Sequence, residues 1–263
     1  MQNLCAKAGN EIRPSQQPGE TVTCAGQGPC AQCPVRASNI CSVLQRLTNQ
    51  EEASADDSVS WQSHKKIPAH KNVKSVGDRA ERVLVICEGW AFRFAQLTDG
   101  RKQILSILIP GDVITPMRLF DDAIRFSVQA LTDMRYCGYS RATLRARLTG
   151  DPALLDAWAK LLIAERQHNI GLVVNLGARS ADERIAHLFL QLSARLERRG
   201  LAAGRRGDLP LPQRVIAAAT GLTPEHVSRV IGKFRSAGLI ETVKGGLNVR
   251  DLAGLQRVGA LNF

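Results

Sequence analysis

Short apolar runs separated by turn signals occupy the chain from Val59 to about Arg147. The runs at residues 82–87, 90–95 and 103–109 are each followed by a segment that contains glycine. Strands at a spacing of roughly ten residues, bounded by glycine and proline, are typical of an antiparallel sandwich or roll. The pattern therefore predicts a small antiparallel β-roll.

A long helix is predicted after the β-roll. Asp151 and Pro152 supply an N-cap and a first-turn proline. Glu165 and Asn169 lie in the middle of a seam whose apolar members recur at heptad spacing, namely Leu155, Trp158, Leu162, Leu172 and Leu176. Such a seam predicts a helix that pairs with a second copy of itself, weakened by its polar centre. The alternative is a helix that packs on its own domain.

The segment from residue 211 to residue 240 has the pattern of a helix-turn-helix. Residues 212–220 predict a short helix, Gly221 supplies the turn, and Thr223-Pro224 start a second helix as N-cap and first residue. The second helix has an apolar face formed by Val227, Val230, Ile231 and Phe234. Two short helices that cross at a tight turn are typical of DNA-binding domains.

The opposite face of the second helix is polar and charged. Its outward positions are Glu225, Ser228, Arg229 and Lys233. Residues 238–249 follow as two short strands around a Gly-Gly turn that carries Lys244. A helix-turn-helix with a charged outer face and a following hairpin predicts a winged helix domain that binds DNA.

Charge supports a polyanionic partner. The chain of 263 residues has a formal net charge of +11. Residues 178–263 contain 14 Lys and Arg but only 7 Asp and Glu. A basic domain of this kind favours nucleic acid, although a generally basic protein has the same balance. No stretch is apolar for long enough to span a membrane, and no secretory signal is visible, so we expect a cytoplasmic protein.

Cysteines crowd the first fifty residues, which otherwise read as an extended arm. Cys30, Cys33 and Cys41 have the spacing C-x2-C-x7-C, Cys24 precedes them, and Cys137 lies about a hundred residues later. Clustered thiolates repel one another unless a soft cation neutralises them. In a cytoplasmic protein such cysteines indicate a metal centre or a redox site more than disulfides.

Taken together, these features resemble the Crp–Fnr regulator superfamily over about residues 59–250. The resemblance includes the stretch Leu176 to Ile185, which reads Leu-Gly-x-Arg-Ser-Ala-x-Glu-Arg-Ile and contains a capping box at Ser180 and Glu183. It implies an α+β fold with a cyclic-nucleotide-binding-like jelly roll. The expected units are a cysteine arm (1–50), a β-roll sensory domain (51–150), a dimerisation helix (151–178) and a winged helix-turn-helix domain (179–263).

The arm resembles that of the FNR branch, specifically the FnrN-like proteins, whose members carry an oxygen-labile [4Fe–4S] cluster. Carried over by position, this resemblance implies that the cluster ligands are Cys30, Cys33, Cys41 and Cys137. It also implies that Glu225, Ser228 and Arg229 read TTGAT half-sites, for which arginine–guanine pairing is chemically suited. Lys233 and Lys244 are expected to contact phosphates.

The implied function is oxygen-sensing transcription regulation without enzymatic activity. A homodimer would bind palindromic double-stranded DNA while its cluster is intact, and RNA polymerase is an expected partner. Oxygen would weaken both the dimer and DNA binding.

Other thiol sites remain open at this stage. A rival set of Cys24, Cys30, Cys33 and Cys41 would bind zinc or a cluster without Cys137. Cys5 and Cys87 are interpreted as incidental, Cys87 as a small buried residue of an apolar strand. A thiol oxidoreductase using the pair Cys30 and Cys33 is disfavoured because no thioredoxin-like βαβ pattern surrounds it.

Other effectors also remain open. Cyclic-nucleotide sensors grip phosphate with an adjacent Arg-Ser pair after a Gly-Glu segment, whereas here Gly111-Asp112 is followed by Arg125 and Ser127 with a residue between them. That disfavours a nucleotide without excluding another small ligand. A haem sensor would need an axial ligand; the candidates His64, His70 and His168 are interpreted as solvated side chains.

Overall fold

Two antiparallel sheets form the β-roll. In the computed structural model, which describes residues 33, 35–36, 40–44, 62–78, 81–122, 125–202 and 208–259, one sheet has the order β1 (Gln62–Ile67), β7 (Met134–Ser140), β3 (Arg82–Glu88). The other has the order β2 (Asn72–Lys74), β6 (Ser127–Ala130), β4 (Ala91–Gln96), β5 (Lys102–Leu108). The predicted antiparallel roll is therefore confirmed.

The inner faces of the two sheets enclose an apolar core. Leu84 and Ile86 of β3 share it with Met134 and Tyr136 of β7 and with Val128 of β6. These positions alternate along each strand, because successive side chains point to opposite faces.

The outer face of the first sheet is buried as well. Val83, Val85 and Cys87 of β3 belong to a second buried cluster, together with Cys137 and Tyr139 of β7. That cluster includes side chains from the described parts of the N-terminal arm, namely Cys33, Val35, Ile40, Cys41, Val43 and Leu44. A strand buried on both faces reads as a continuous apolar run, and the arm accounts for this feature of β3.

The β3–β4 turn requires glycine. Gly89 has φ +82°, and a Cβ placed on it would lie 2.2 Å from the carbonyl oxygen of Asp133. Any other residue would both strain the backbone and clash with the chain that leads into β7.

Two helices connect the roll to the C-terminal half. Helix α1 (Arg141–Arg147) follows β7 directly, with Ser140 as its N-cap. Helix α2 (Pro152–Ala178) begins as the sequence predicts, since the Asp151 carboxylate accepts a hydrogen bond of 2.9 Å from the Leu154 N–H.

The predicted seam of α2 mixes two faces of the helix. Trp158 is 1% exposed and packs in the core of its own chain, whereas Leu155 is 53% exposed. Glu165 forms an ion pair with the buried Arg93 of β4. The apolar side chains that α2 leaves exposed are Leu155, which belongs to the predicted seam, and Ile163, Ile170, Val173 and Val174, which do not. We call these five residues the open row. Packing within the chain therefore removes Trp158 and Glu165 from the predicted pairing face, whereas Leu155 stays exposed.

The C-terminal unit is a winged helix-turn-helix. Its helices are α3 (Ala181–Arg198), α4 (Gln213–Thr220), α5 (Pro224–Ser236) and α6 (Leu252–Gly259), and its hairpin is β8 (Ile240–Val243) with β9 (Gly246–Val249). The capping box of Ser180 and Glu183 is present. Gly221 ends α4 in the left-handed region, with φ +66°, as the predicted turn requires.

This unit packs against the β-roll. The Gln103 side chain of β5 donates to the Ala218 carbonyl of α4 over 2.9 Å. The Asp112 carboxylate pairs with both Arg195 and Arg199 at the end of α3. Within the described residues, the structure has no helix with the length and apolarity of a membrane span.

Candidate DNA interface and thiol site

Helix α5 is anchored by its apolar face. Thr223 caps its first turn by accepting a hydrogen bond from the His226 N–H. The predicted apolar positions Val227, Val230, Ile231 and Phe234 are all buried. The opposite face of the helix is thereby held toward solvent.

The predicted base-reading residues lie on this solvent-exposed face of α5. Glu225, Ser228 and Arg229 are all exposed, and their spacing of three and four residues places them on one side of the helix. The pKa of Glu225 is lowered by a hydrogen bond from its own backbone N–H, by the Thr223 hydroxyl and by the Arg229 charge. Glu225 is therefore an anionic acceptor beside a guanidinium donor.

The two predicted phosphate contacts differ from each other. Lys244 is exposed in the turn between β8 and β9, at the tip of the wing. Lys233 is exposed but forms an ion pair with Asp182 in the first turn of α3. A phosphate would have to compete with that carboxylate for Lys233, whereas Lys244 has no ion pair among the described residues.

The described cysteines gather on the outer face of the first sheet. Cys33, Cys41, Cys87 and Cys137 are all buried. The Cys137 and Cys87 sulfur atoms lie 3.7 Å and 3.8 Å from the same atom, the carbonyl oxygen of Val85. The Cys33 sulfur lies 4.0 Å from the carbonyl oxygen of Cys87. Two of the arm's predicted ligands therefore share a core with the β-roll cysteine.

Cys5, Cys24 and Cys30 lie outside the described residues. Among the described ones, no three His, Cys, Asp or Glu side chains converge closely enough to hold a metal ion. The donor set nevertheless suits a soft metal or an iron–sulfur centre, since it consists of thiols that are buried together. Cys30, Cys33, Cys41 and Cys137 would hold such a group after the thiols close together.

Cys87 is a small buried residue of an apolar strand, as the sequence interpretation expects, but its position near Cys137 was not predicted. Period-two alternation places it on the same face of β3 as Val83 and Val85. The decisive fact is that Cys137 pairs with Val85 across β3 and β7. Strand pairing between residues so far apart in sequence cannot be deduced from alternation alone.

The residues weighed for a cyclic nucleotide have other partners. The Asp112 carboxylate is occupied by Arg195 and Arg199, and Arg125 is an exposed side chain paired with Asp121. Arg118 is buried, and its Nε and Nη1 atoms have no hydrogen-bond partner within the described part of the chain. Arg125 is therefore engaged by Asp121, and the split Arg-Ser arrangement differs from the adjacent pair of the nucleotide sensors.

His168 is not the solvated side chain that the sequence suggests. Its Nε2 lies 3.0 Å from the Leu105 carbonyl oxygen of β5, and its Nδ1 lies 3.1 Å from the Gln191 amide nitrogen of α3. Burial, ahead of the nearby Arg195 and Arg93 charges, lowers the pKa of His168. His70 is exposed, and the side chain of His64 lies outside the described residues.

Two family profiles match the two units found here. The cyclic nucleotide-binding domain profile matches residues 64–151, and the Crp-like helix-turn-helix domain profile matches residues 183–258. The nitrogen fixation regulation protein FixK of Bradyrhizobium diazoefficiens is 30% identical over 234 residues, which cover 88% of this chain and 94% of that protein. This chain belongs to the Crp/Fnr family of transcription regulators. It is thus a DNA-binding regulator and not an enzyme.

Other relatives agree with this Crp/Fnr assignment. The transcriptional activator protein FnrL of Cereibacter sphaeroides is 26% identical, over 80% of this chain and 83% of that protein. Among solved structures, FixK2 from Bradyrhizobium japonicum superposes with a TM-score of 0.69 and covers 77% of this chain and 99% of that one. That structure is 23% identical in sequence, so it supports the fold alone.

Proposed function

We propose that this Crp/Fnr regulator senses oxygen through a [4Fe–4S] cluster and binds TTGAT-like palindromic DNA as a homodimer. The observation that carries the proposal is the shared burial of Cys33 and Cys41 of the arm with Cys137 of the β-roll. Thiols from segments about a hundred residues apart are brought into one core where a soft inorganic group would join them. The FixK and FnrL relatives, named as a nitrogen fixation regulation protein and a transcriptional activator, support the regulatory part of the proposal.

The proposed ligands are Cys30, Cys33, Cys41 and Cys137. When bound, the cluster would supply an oxygen-sensitive link between the arm and strand β7. The chain's own residues connect β7 to the rest of the molecule, since β7 ends at Ser140, which caps α1, and α2 follows within a few residues. Loss of the link between the arm and β7 would therefore act near the N-terminal end of α2.

The open row of α2 supports the homodimer. Its members Ile163 and Ile170 are seven residues apart and Val173 follows after three, so they lie along one side of the helix. Exposed Arg166 lies on this side between Ile163 and Ile170. A charge inside an apolar seam weakens pairing, so a change of a few kcal/mol would suffice to shift the monomer–dimer balance.

The proposed DNA reading follows from the face of α5. Glu225, Ser228 and Arg229 are exposed together and offer an acceptor, a hydroxyl and a bidentate donor for base edges. A twofold dimer presents two such helices, and this symmetry matches a palindromic site.

The test is the metal content of anaerobically purified protein, followed by single substitutions. We expect iron and acid-labile sulfide with broad brown absorbance, and loss of both in Cys41→Ser and in Cys137→Ser. Cys24→Ser serves as the matched control and should keep the iron. Zinc in place of iron, with loss in Cys24→Ser and not in Cys137→Ser, would support the rival zinc site within the arm.

A further inference from the structure

A small polar cavity lies where the β-roll, the long helix and the DNA-binding unit meet. Its walls come from β5, α2, α3 and the last turn of α4, and its volume is about 30 Å³. Gly171 of α2 contributes to this space, since a Cβ placed on it would meet no atom within 4 Å. A cavity of this volume holds about two water-sized groups, and a ligand of about three or four heavy atoms has that size.

Asn175 brings an unpaired donor to this cavity. The residue is 5% exposed. Its Oδ1 atom accepts a hydrogen bond of 3.3 Å from Arg179, whereas its Nδ2 group donates to no atom of the described residues. Buried side-chain amides are almost always hydrogen-bonded, so an unpaired one calls for an explanation. Asn175 therefore offers an N–H donor to an acceptor atom of a ligand.

His187 offers a second donor from α3. Its Nδ1 atom is buried and has no hydrogen-bond partner in the described part of the chain. Burial, ahead of the Arg179 charge and of His168, lowers the pKa of His187 to about 4. The ring is therefore neutral at neutral pH and carries one N–H. With its proton on Nδ1 it can donate to the same ligand as Asn175, because both residues line one cavity.

The charges around the cavity favour an anion. Burial lowers the pKa values of the two lining histidines most. Besides the histidines themselves, the charges that act on them come from three guanidinium groups and one carboxylate, namely those of Arg93, Arg179, Arg195 and Asp112. A positive environment with two N–H donors attracts an anion and repels a cation. Donors on two different helices suit an oxyanion, since each can meet a separate oxygen atom.

We propose that the cavity lined by Asn175 and His187 is a binding site for a small oxyanion of the carboxylate or nitrate type. The Asn175 Nδ2 and His187 Nδ1 groups donate to its oxygen atoms, and the bound anion bridges α2 and α3 beside β5. It thereby stabilises the packing of the DNA-binding unit against the β-roll. The lining residues belong to one chain and none of them is a cysteine, so the site is independent of the proposed cluster.

Thermal unfolding of the full-length protein tests the site, with sodium formate and sodium nitrate as probes and sodium chloride as the control salt. A three-atom ligand reaches a Kd of about 0.5 mM at best, so about 20 mM of each salt is used. We expect formate and nitrate to raise the thermal midpoint by at least about 2 °C more than chloride does. A rise no larger than that in chloride would overturn the inference.

Asn175→Asp removes the donor without changing the size of the side chain. The new carboxylate can pair with Arg179 one turn later, which preserves the helix, and it repels an anion in the cavity. We expect formate to bind at least about tenfold more weakly. Gln256→Glu adds the same charge at an exposed position of α6 outside the cavity, and it should keep the wild-type affinity. Equal formate affinities in the two variants would contradict the assignment.

The histidine resonances of the wild type give a readout that does not depend on how a variant folds. The signal of His187 is the one that disappears in His187→Gln. Formate should shift this signal saturably and raise the pKa of His187, because a bound anion stabilises the protonated ring. Exposed His70 should keep its signal unchanged. A thermal midpoint that rises in formate while the His187 signal stays unchanged would show that formate binds elsewhere, and the inference would fail.

The outcomes separate this inference from the proposed function. Protein without the cluster should bind formate as the cluster-loaded protein does, because the site lies within one chain. A wild-type protein that binds no iron rejects the cluster alone. A His187 signal that formate leaves unchanged rejects the oxyanion site alone.

Discussion

Arg229 lies one helical turn from Glu225 on the exposed face of α5. Because a guanidinium pairs bidentately with guanine, Arg229→Ala should cost about 1–3 kcal/mol on the matched site. The loss should be confined to one base pair, so that preference at that position is relaxed. Binding to a TTGAT palindrome and its single-base mutants measures this.

Lys244 at the tip of the wing is the matched control for Arg229. If it contacts phosphate, Lys244→Ala should weaken all sequences alike and flatten the dependence of affinity on salt. Equal weakening of every sequence by Arg229→Ala would remove its role as a base reader.

For single residues, the sequence predicts exposure correctly where helical periodicity decides which face of the helix a side chain occupies. The exposure of Glu225, Ser228 and Arg229 follows from the 3.6-residue repeat and the cap at Thr223. The position of Cys87 beside Cys137 depends on which strands pair. Strand pairing belongs to the tertiary structure, and no short stretch of sequence indicates it.

Among the elements, α2 has apolar positions on two faces. One face, with Leu154 and Trp158, packs against its own chain, and the open row with Ile163 and Val173 faces solvent. The sequence predicted the helix and its N-cap correctly. It assigned Trp158 and Leu162 to the pairing seam because a helix that is apolar on two sides has no single stripe for periodicity to find.

A charge in the open row should disrupt the dimer. Ile163 is 57% exposed in the single chain, so Ile163→Glu costs little in folding but places a carboxylate in the proposed interface. We expect a monomer by sedimentation and a loss of palindrome binding. At concentrations where the wild type is also monomeric, the two proteins should have the same thermal midpoint.

Ala164→Glu provides the control for that prediction. Ala164 is exposed and one residue away, so a carboxylate there points about 100° around the helix from Ile163. This variant should remain dimeric. Dimers formed equally by both variants would place the interface elsewhere.

Across the whole molecule, the sensory and DNA-binding units are joined by buried polar contacts. The Asp112 carboxylate contacts Arg195 and Arg199, and His168 bridges β5 to α3. Burial would raise the pKa of Asp112, but the two arginine charges outweigh it and lower its pKa to about 2. The Asp112 carboxylate therefore stays ionised at pH values well above about 2.

The histidines at the joint predict a pH dependence. Burial, reinforced by the Arg179 charge and by His168, lowers the pKa of His187 from 6.5 to about 4. Between these values the unfolded chain binds more protons than the folded one, so stability falls as the pH falls from about 6.5 toward 4. Thermal midpoints at pH 7, 6 and 5 should decrease in the wild type, and His187→Gln should reduce the decrease.

His70 supplies the comparison for this pH dependence. It is exposed on a turn with φ +67°, which asparagine tolerates, so His70→Asn should keep the wild-type slope. A domain of this size shifts by about 2–4 °C for each 1 kcal/mol. Equal slopes in the wild type and His187→Gln would show that His187 does not titrate on unfolding.

We propose that one oxygen-labile centre controls both dimerisation and DNA binding. The most direct measurement follows iron content, sedimentation and affinity for a TTGAT palindrome in one anaerobic sample that is then titrated with oxygen. We expect brown absorbance, the dimer and specific binding to be lost together, and a Cys41→Ser protein to start without the cluster, as a monomer that binds the palindrome weakly. Unchanged dimer content and affinity after complete loss of iron would contradict it.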